Sequence, residues 1–184
     1  MTYTYPITIH HLYLSPGHNY FGNKGTTPGG HPTEDVAAVE VKAGAGLVGD
    51  RFFGRGADFD GHVTFFAWEV YQSLRNDVDL SIGTPAAFRR NVILSGVPLN
   101  QLIGQSFAID GVQFLGTKHC APCRWMDLGV AAGALAALKG RGGLRAQALS
   151  DGWLHKGAAT LTTTIPLDLT LITTPLARPK LPSY

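Results

Sequence analysis

Apolar residues along this chain come in short runs, interrupted by turn-forming residues every few positions. That rhythm belongs to many short strands with few helices. Ile7 to Leu14 predicts a first strand, and Ser15 to Asp35, rich in Gly, Pro, Asn and His, predicts a long exposed loop. Val36 to Val41 predicts a second strand, while the glycines between Gly44 and Gly61 predict irregular backbone. His62 to Phe66 predicts another short strand. Within Ala67 to Asn76, Val70 and Leu74 stand four apart with Tyr71 beside them, which predicts a short amphipathic helix. Asn91 to Leu94 reads as a strand and Leu99 to Ile103 as one helical turn.

The clearest local signal follows. Phe107 and Ile109, then Asp110-Gly111, then Val112 and Phe114 predict a hairpin on a type I′ turn. Its second strand leads directly to His119 and Cys120. Val130 to Lys139 is rich in alanine and leucine and predicts a helix stopped by Gly140. Leu144 to Leu149 predicts a strand. From Leu161 to Leu171 apolar residues alternate with Thr, Pro and Asp, which predicts a strand at a sheet edge or one split at Pro166. The sum is a mainly β fold with a few helices, an α+β arrangement around a closed or folded-over sheet. Loops at one end are expected to carry the site.

Composition narrows the function classes. The chain has 184 residues, 45% apolar and 15% charged, as one folded domain would. A net charge of +2 does not argue for nucleic acid. The first ten residues show no basic run followed by a long apolar one, so no secretory leader is expected. The uncharged stretch Val130 to Leu138 is far short of the roughly 18 residues that span a bilayer. No membrane association and a cytoplasmic location are the expectation.

The chain's 2 cysteines, Cys120 and Cys123, stand together behind His119. A structural zinc site would need about four ligands, and His10, His11, His18, His31, His62 and His155 show no ligand spacing. A thioredoxin-like redox pair would need a strand–Cys-x-x-Cys–helix unit in an alternating α/β pattern. A single functional thiol could ligate a soft metal or carry a persulfide, with Arg124 and His119 favouring the thiolate. Two buried cysteines acting as small hydrophobes are the fourth reading.

Two arginine-bearing segments flank the thiols. Phe88-Arg89-Arg90-Asn91 enters a strand, where alternation would aim only one arginine into a pocket. Gly140-Arg141-Gly142-Gly143-Leu144-Arg145 combines close-approach glycines with guanidiniums suited to a phosphate. In Gly46 to Arg51, Asp50 caps backbone amides, or else Asp50 or Arg51 reaches the pocket.

Read together, these segments resemble the MOSC domain, named for the C-terminal domain of molybdenum-cofactor sulfurase. Gly46-Leu-Val-Gly-Asp-Arg51 resembles the family's Gly-Asp-Arg turn, and Phe88-Arg-Arg-Asn-Val-Ile-Leu-Ser-Gly96 its Arg-x-Asn-aliphatic-Gly segment. Leu102-Ile-Gly104 with Phe107 to Gly111 is similar to its helix-and-hairpin unit. Cys120-Ala-Pro-Cys123 falls where the family places its cysteine, and Gly140 to Arg145 with Asp151-Gly152 resembles its closing segment. The resemblance runs from about residue 36 to 157 of a single domain spanning 1–184.

The resemblance implies a MOSC-type β-barrel and molybdenum cofactor (molybdopterin) as the ligand. It implies Cys123 as the catalytic thiol, either the molybdenum ligand or a persulfide carrier. Arg90, Asn91, Arg141 and Arg145, with Asp50 and His119, would hold the cofactor. A small-molecule substrate, such as an N-hydroxylated compound, is implied, together with a cysteine desulfurase or redox partner. The sequence departs from the family where Lys156-Gly157-Ala158 replaces a Gly-Asp pair. A separate N-terminal β-barrel domain like that of the larger reductases is not expected from this sequence.

Overall fold

The structure, a computed structural model, describes residues 1–19, 29–77 and 84–177. Part of the loop expected from Ser15 to Asp35 lies outside the described residues. In chain order the strands are β1 (Tyr3–Leu14), β2 (Glu34–Asp35), β3 (Ala38–Lys42), β4 (Gly46–Leu47), β5 (Val63–Ala67) and β6 (Val92–Ser95). They continue with β7 (Ser106–Ile109), β8 (Val112–His119), β9 (Leu144–Ala148), β10 (Gly152–His155) and β11 (Gly157–Thr163). The helices are α1 (Trp68–Asp77), α2 (Trp125–Gly129) and α3 (Ala134–Ala137).

Among the described residues seven strands close a barrel. Their order is β11-β7-β8-β9-β5-β6-β1, and β1 pairs with β11 to complete the circle. The closing ladder is antiparallel and runs from Tyr3↔Thr163 to Ile9↔Gly157. Among the described strands only β5 and β6 pair in parallel, joined by a connection that contains α1. A small sheet, β10-β3-β4, stands beside the barrel.

Alternation fills the interior. Ile7 and Ile9 of β1, Val92 and Leu94 of β6, and Phe107 and Ile109 of β7 are all buried. Phe65 meets Phe114 and Phe107 edge-on, with ring centroids 5.4 and 5.6 Å apart. Burying each such ring is worth roughly 1.5–3 kcal/mol. Helix α1 lays Val70 and Leu74, both buried, against this core, as its spacing predicts.

The hairpin turn is of type I′. Asp110 and Gly111 have φ of 47° and 87°, both in the left-handed region this turn requires. Asp110 Oδ1 also accepts the Thr160 N–H at 2.8 Å, pinning the turn to β11.

Two predicted elements differ. Val130 to Lys139 is not one helix. Gly133 adopts φ 85° and ends any continuous run, leaving the short α2 and α3. Asp127 Oδ1 accepts the Leu135 N–H at 2.8 Å and caps the second of them. The alternation from Leu161 to Leu171 is not one strand. β11 begins earlier, at Gly157, and ends at Thr163, short of Pro166. Asp168 then caps a single turn, Leu169–Leu171, through Thr170 N–H at 3.0 Å. β11 lies inside the closed barrel, paired on both sides, rather than at an edge.

Candidate active site

At one end of the barrel the loops enclose a cleft of about 280 Å³. Both cysteines line it, and so do Arg51, Arg89, Arg90 and Arg145. Among its described lining residues there is no carboxylate. Phe52 and Phe59 form an aromatic wall, their rings stacked 5.4 Å apart.

The thiol segment is held at both ends. β8 stops at His119, and the Cys120 N–H donates to Gly143 O at 2.7 Å. The Cys123 carbonyl accepts the Met126 N–H at 2.9 Å as α2 begins. Between them the chain makes no turn. Both thiols of the Cys-x-x-Cys are free. Cys120 is buried at 4% exposure, whereas Cys123 is half-buried on the cleft wall.

Arg90 organises the cleft from within. Its Nε donates to Gly142 O at 2.9 Å, Nη1 to Phe88 O at 2.9 Å, and Nη2 to Cys120 O at 3.2 Å. One buried guanidinium therefore ties both arginine segments to the thiol segment. Alternation predicted that only one of Arg89 and Arg90 would face the pocket, yet both line it. Arg89 has φ 59°, a left-handed residue after the turn Pro85–Phe88, so strand alternation does not apply there. Its guanidinium lies 5.3 Å from the Trp125 ring centroid.

Arg51 is buried with its hydrogen-bonding capacity only partly met. Its side chain is 9% accessible, and its Nη1 meets Asp50 Oδ2 at 3.5 Å. Its Nε is buried and has no hydrogen-bond partner among the described residues. Burial disfavours the Arg51 charge; Asp50 opposes this, and the nearby Arg90 charge adds to it. Arg51, Arg55 and Arg89 hold the His18 ring below the usual imidazole range, after the larger effect of burial. An anion arriving in the cleft would relieve the repulsion among these guanidiniums.

Arg145 closes the opposite wall. Burial works against its charge, but the Cys120 thiol and Asp60 together raise its proton affinity above the usual value. Asp60 Oδ1 lies 3.3 Å from Arg145 Nη1, and Lys118 pairs with the same carboxylate. A bulge between Gly116 and Lys118 in the β8–β9 ladder re-aims this end of the strands. Thr117 Oγ1 fills the gap, donating to Asp60 O and Arg145 O.

The other expected site residues serve different ends. Asp50 is buried and accepts from Phe52 N–H at 3.1 Å and Asn91 Nδ2 at 3.1 Å. Asn91 also donates to Tyr13 O and accepts from Thr64 N–H and Oγ1. These two position the arginine-bearing segments and spend their polar atoms on protein. His119 Nε2 accepts the Gly142 N–H at 3.0 Å. Burial, then the charge of Arg90, hold its ring below the usual imidazole range. Arg141 does not line the cleft. Its Nε and Nη2 donate to Ala137 O at 3.0 and 2.7 Å, and Nη1 reaches Ser73 Oγ at 3.3 Å. Asp60, Phe52 and Phe59 gave no sequence signal, because they sit in the irregular segment after β4.

Among the described residues no group of three or more His, Cys, Asp and Glu is placed to hold a metal ion by itself. No helix there is long and apolar enough to cross a membrane.

The family model of the MOSC domain matches residues 38–159, about two thirds of the chain. The chain belongs to the MOSC domain family. No match is found among the curated proteins. Solved structures share the barrel. The YuaD protein from Bacillus subtilis is similar with a TM-score of 0.69 at 16% identity, over 90% of this chain and 100% of that one. YiiM from Geobacillus stearothermophilus is similar with a TM-score of 0.61 at 15% identity, over 86% of this chain and 75% of its own. YiiM from Escherichia coli gives 0.58 at 15%, over 93% and 75%. At such identities the likeness concerns this MOSC domain's fold alone.

Proposed function

We propose that this MOSC domain binds molybdenum cofactor in the thiol cleft, with Cys123 as the molybdenum ligand. One observation carries the reading. A half-buried thiol shares a cleft with four arginines, and one of these keeps a buried, unpartnered Nε. A thiolate suits a soft metal, and guanidiniums suit the phosphate of a pterin cofactor. The volume, about 280 Å³, lies just below the roughly 300–1,000 Å³ of small-molecule sites.

Bound there, the cofactor would supply two-electron oxidation–reduction, suited to reducing N-hydroxylated compounds. The chain's own residues do the rest. Arg51 and Arg89 hold the anionic end. Arg90 fixes the Cys120 carbonyl and so the thiol segment. Arg145, anchored by Asp60, keeps positive charge beside the thiols. Phe52 and Phe59 shield one side from water. A redox partner would deliver electrons.

Protein purified from a cofactor-competent host should carry molybdenum and pterin, lost in Cys123→Ser and retained in Cys120→Ser. A metal-free protein bearing cyanide-labile sulfur on Cys123 would replace this reading with a persulfide carrier fed by a cysteine desulfurase. Equal loss of cofactor and of thermal stability in both variants would favour a packing role for both thiols.

A further inference from the structure

The thiol segment borders a second cavity of about 320 Å³. Ala121 lines both spaces, whereas the two cysteines line only the first. The second cavity has aliphatic walls from Ala121, Pro122, Leu135 and Leu176. The Leu176 N–H donates to Gly140 O at 2.9 Å, and Asn100 Nδ2 donates to the same oxygen at 2.9 Å. Asn100 Nδ2 also reaches Thr174 O at 3.2 Å. These bonds hold the segment 174–177 as one wall beside the end of α3.

Two polar side chains, His119 and Lys139, line this cavity among the described residues. His119 Nε2 accepts from a backbone N–H, which can only donate. In the neutral ring the proton therefore sits on Nδ1. Burial and the Arg90 charge favour that neutral ring. Neutral His119 thus has only a donor left to offer, and the Lys139 ammonium has only donors. An aliphatic wall with donor-only side chains selects a ligand with an apolar body and an anionic, accepting end.

We infer that this cavity binds a small apolar carboxylate, at a site separate from the thiol cleft. The segment Ala121-Pro122 lies against such a ligand, next to Cys123 in the chain.

Calorimetry on the full chain, with octanoate and the uncharged octanol as probes, tests this without any metal. Octanoate should bind at least tenfold more tightly than octanol, a gap of about 1.4 kcal/mol. Lys139→Met should abolish that preference. Leu135→Trp should fill the cavity and end octanoate binding, with the thermal midpoint and the Cys123 alkylation rate unchanged. Equal affinity for both probes, no binding at millimolar octanoate, or undiminished binding in Leu135→Trp would each overturn the site. Because molybdenum plays no part, failure here leaves the cofactor reading standing, and failure there leaves this one.

Discussion

Asn91 Nδ2 donates to Asp50 Oδ2 at 3.1 Å, far inside the protein. That bond joins the residue after the arginine pair to the residue before Arg51. It sets the spacing of three of the cleft's four arginines. Asp50 accepts backbone and side-chain donors on both oxygens, so its loss strands several at once.

Asp50→Ala is therefore expected to cost more than an average substitution, roughly 3–5 kcal/mol, by leaving the buried Arg51 charge without its carboxylate. Asn91→Ala should cost about 1–3 kcal/mol by leaving Tyr13 O and the Thr64 N–H unpaired. Urea unfolding measures both. Changes below about 0.5 kcal/mol would mean that water replaces the network.

The two thiols should differ in reactivity. Iodoacetamide on the native protein is expected to label Cys123, with Cys120 modified only on unfolding, because Cys120 is buried at 4%. Peptide mass mapping over time reads this directly. Faster labelling of Cys120 would move the functional thiol to that position.

Arg51→Met should weaken cofactor retention by roughly ten- to a hundredfold, the worth of one or two charge-assisted hydrogen bonds. Arg141→Met should leave retention unchanged, since that guanidinium is spent on Ala137 and Ser73. Cofactor content after dialysis separates the two, and equal losses would contradict the placement of Arg141.

His119 predicts an acid-side loss of stability. Its folded ring binds a proton less readily than the free side chain, whose value is 6.5. Above 6.5 neither state is protonated and the contribution is complete. As the pH falls below that value the unfolded chain takes up the proton first, and stability declines until the folded ring is protonated too. His10 and His18 are lowered as well and act in the same direction. His119→Gln should flatten part of the slope between about pH 6.5 and pH 5. An unchanged slope would show that the ring is protonated in the fold without penalty.

Gly142 sits where a Cβ would overlap the Cys120 carbonyl oxygen and come within 3.0 Å of Pro122 Cδ. Gly142→Ala should cost about 1–3 kcal/mol and displace the thiol segment. A thermal melt and the Cys123 labelling rate should both shift.

How much of this was legible in the sequence depended on range. The Asp110-Gly111 turn and the spacing of Val70 and Leu74 are local codes, and the structure follows them. Gly133 misled, because one glycine inside an alanine-rich run reads as tolerable, yet here it turns left-handed. The alternation beyond Thr163 misled as well. Ile165 and Leu167 keep the strand's period, but Pro166 between them cannot donate to a ladder, and the pairing has already ended. For the site, motifs identified the thiols and Arg90 and Arg145. They could not show that Arg141 faces elsewhere, or that Asp60 and Phe59 arrive from an irregular segment. Those placements follow from tertiary pairing, such as Thr117 bridging Asp60 and Arg145, which no spacing encodes.

The ladder from Tyr3↔Thr163 to Ile9↔Gly157 has a consequence for how the protein is made. β1 is synthesised well ahead of β11 and must wait for it before this ladder can form. At about 5–20 residues per second, that delay is roughly 8–30 s. Throughout it, β6 can pair with one side of β1, but the side that β11 will take stays open, so this edge is where the nascent chain is most exposed to mispairing and chaperone capture.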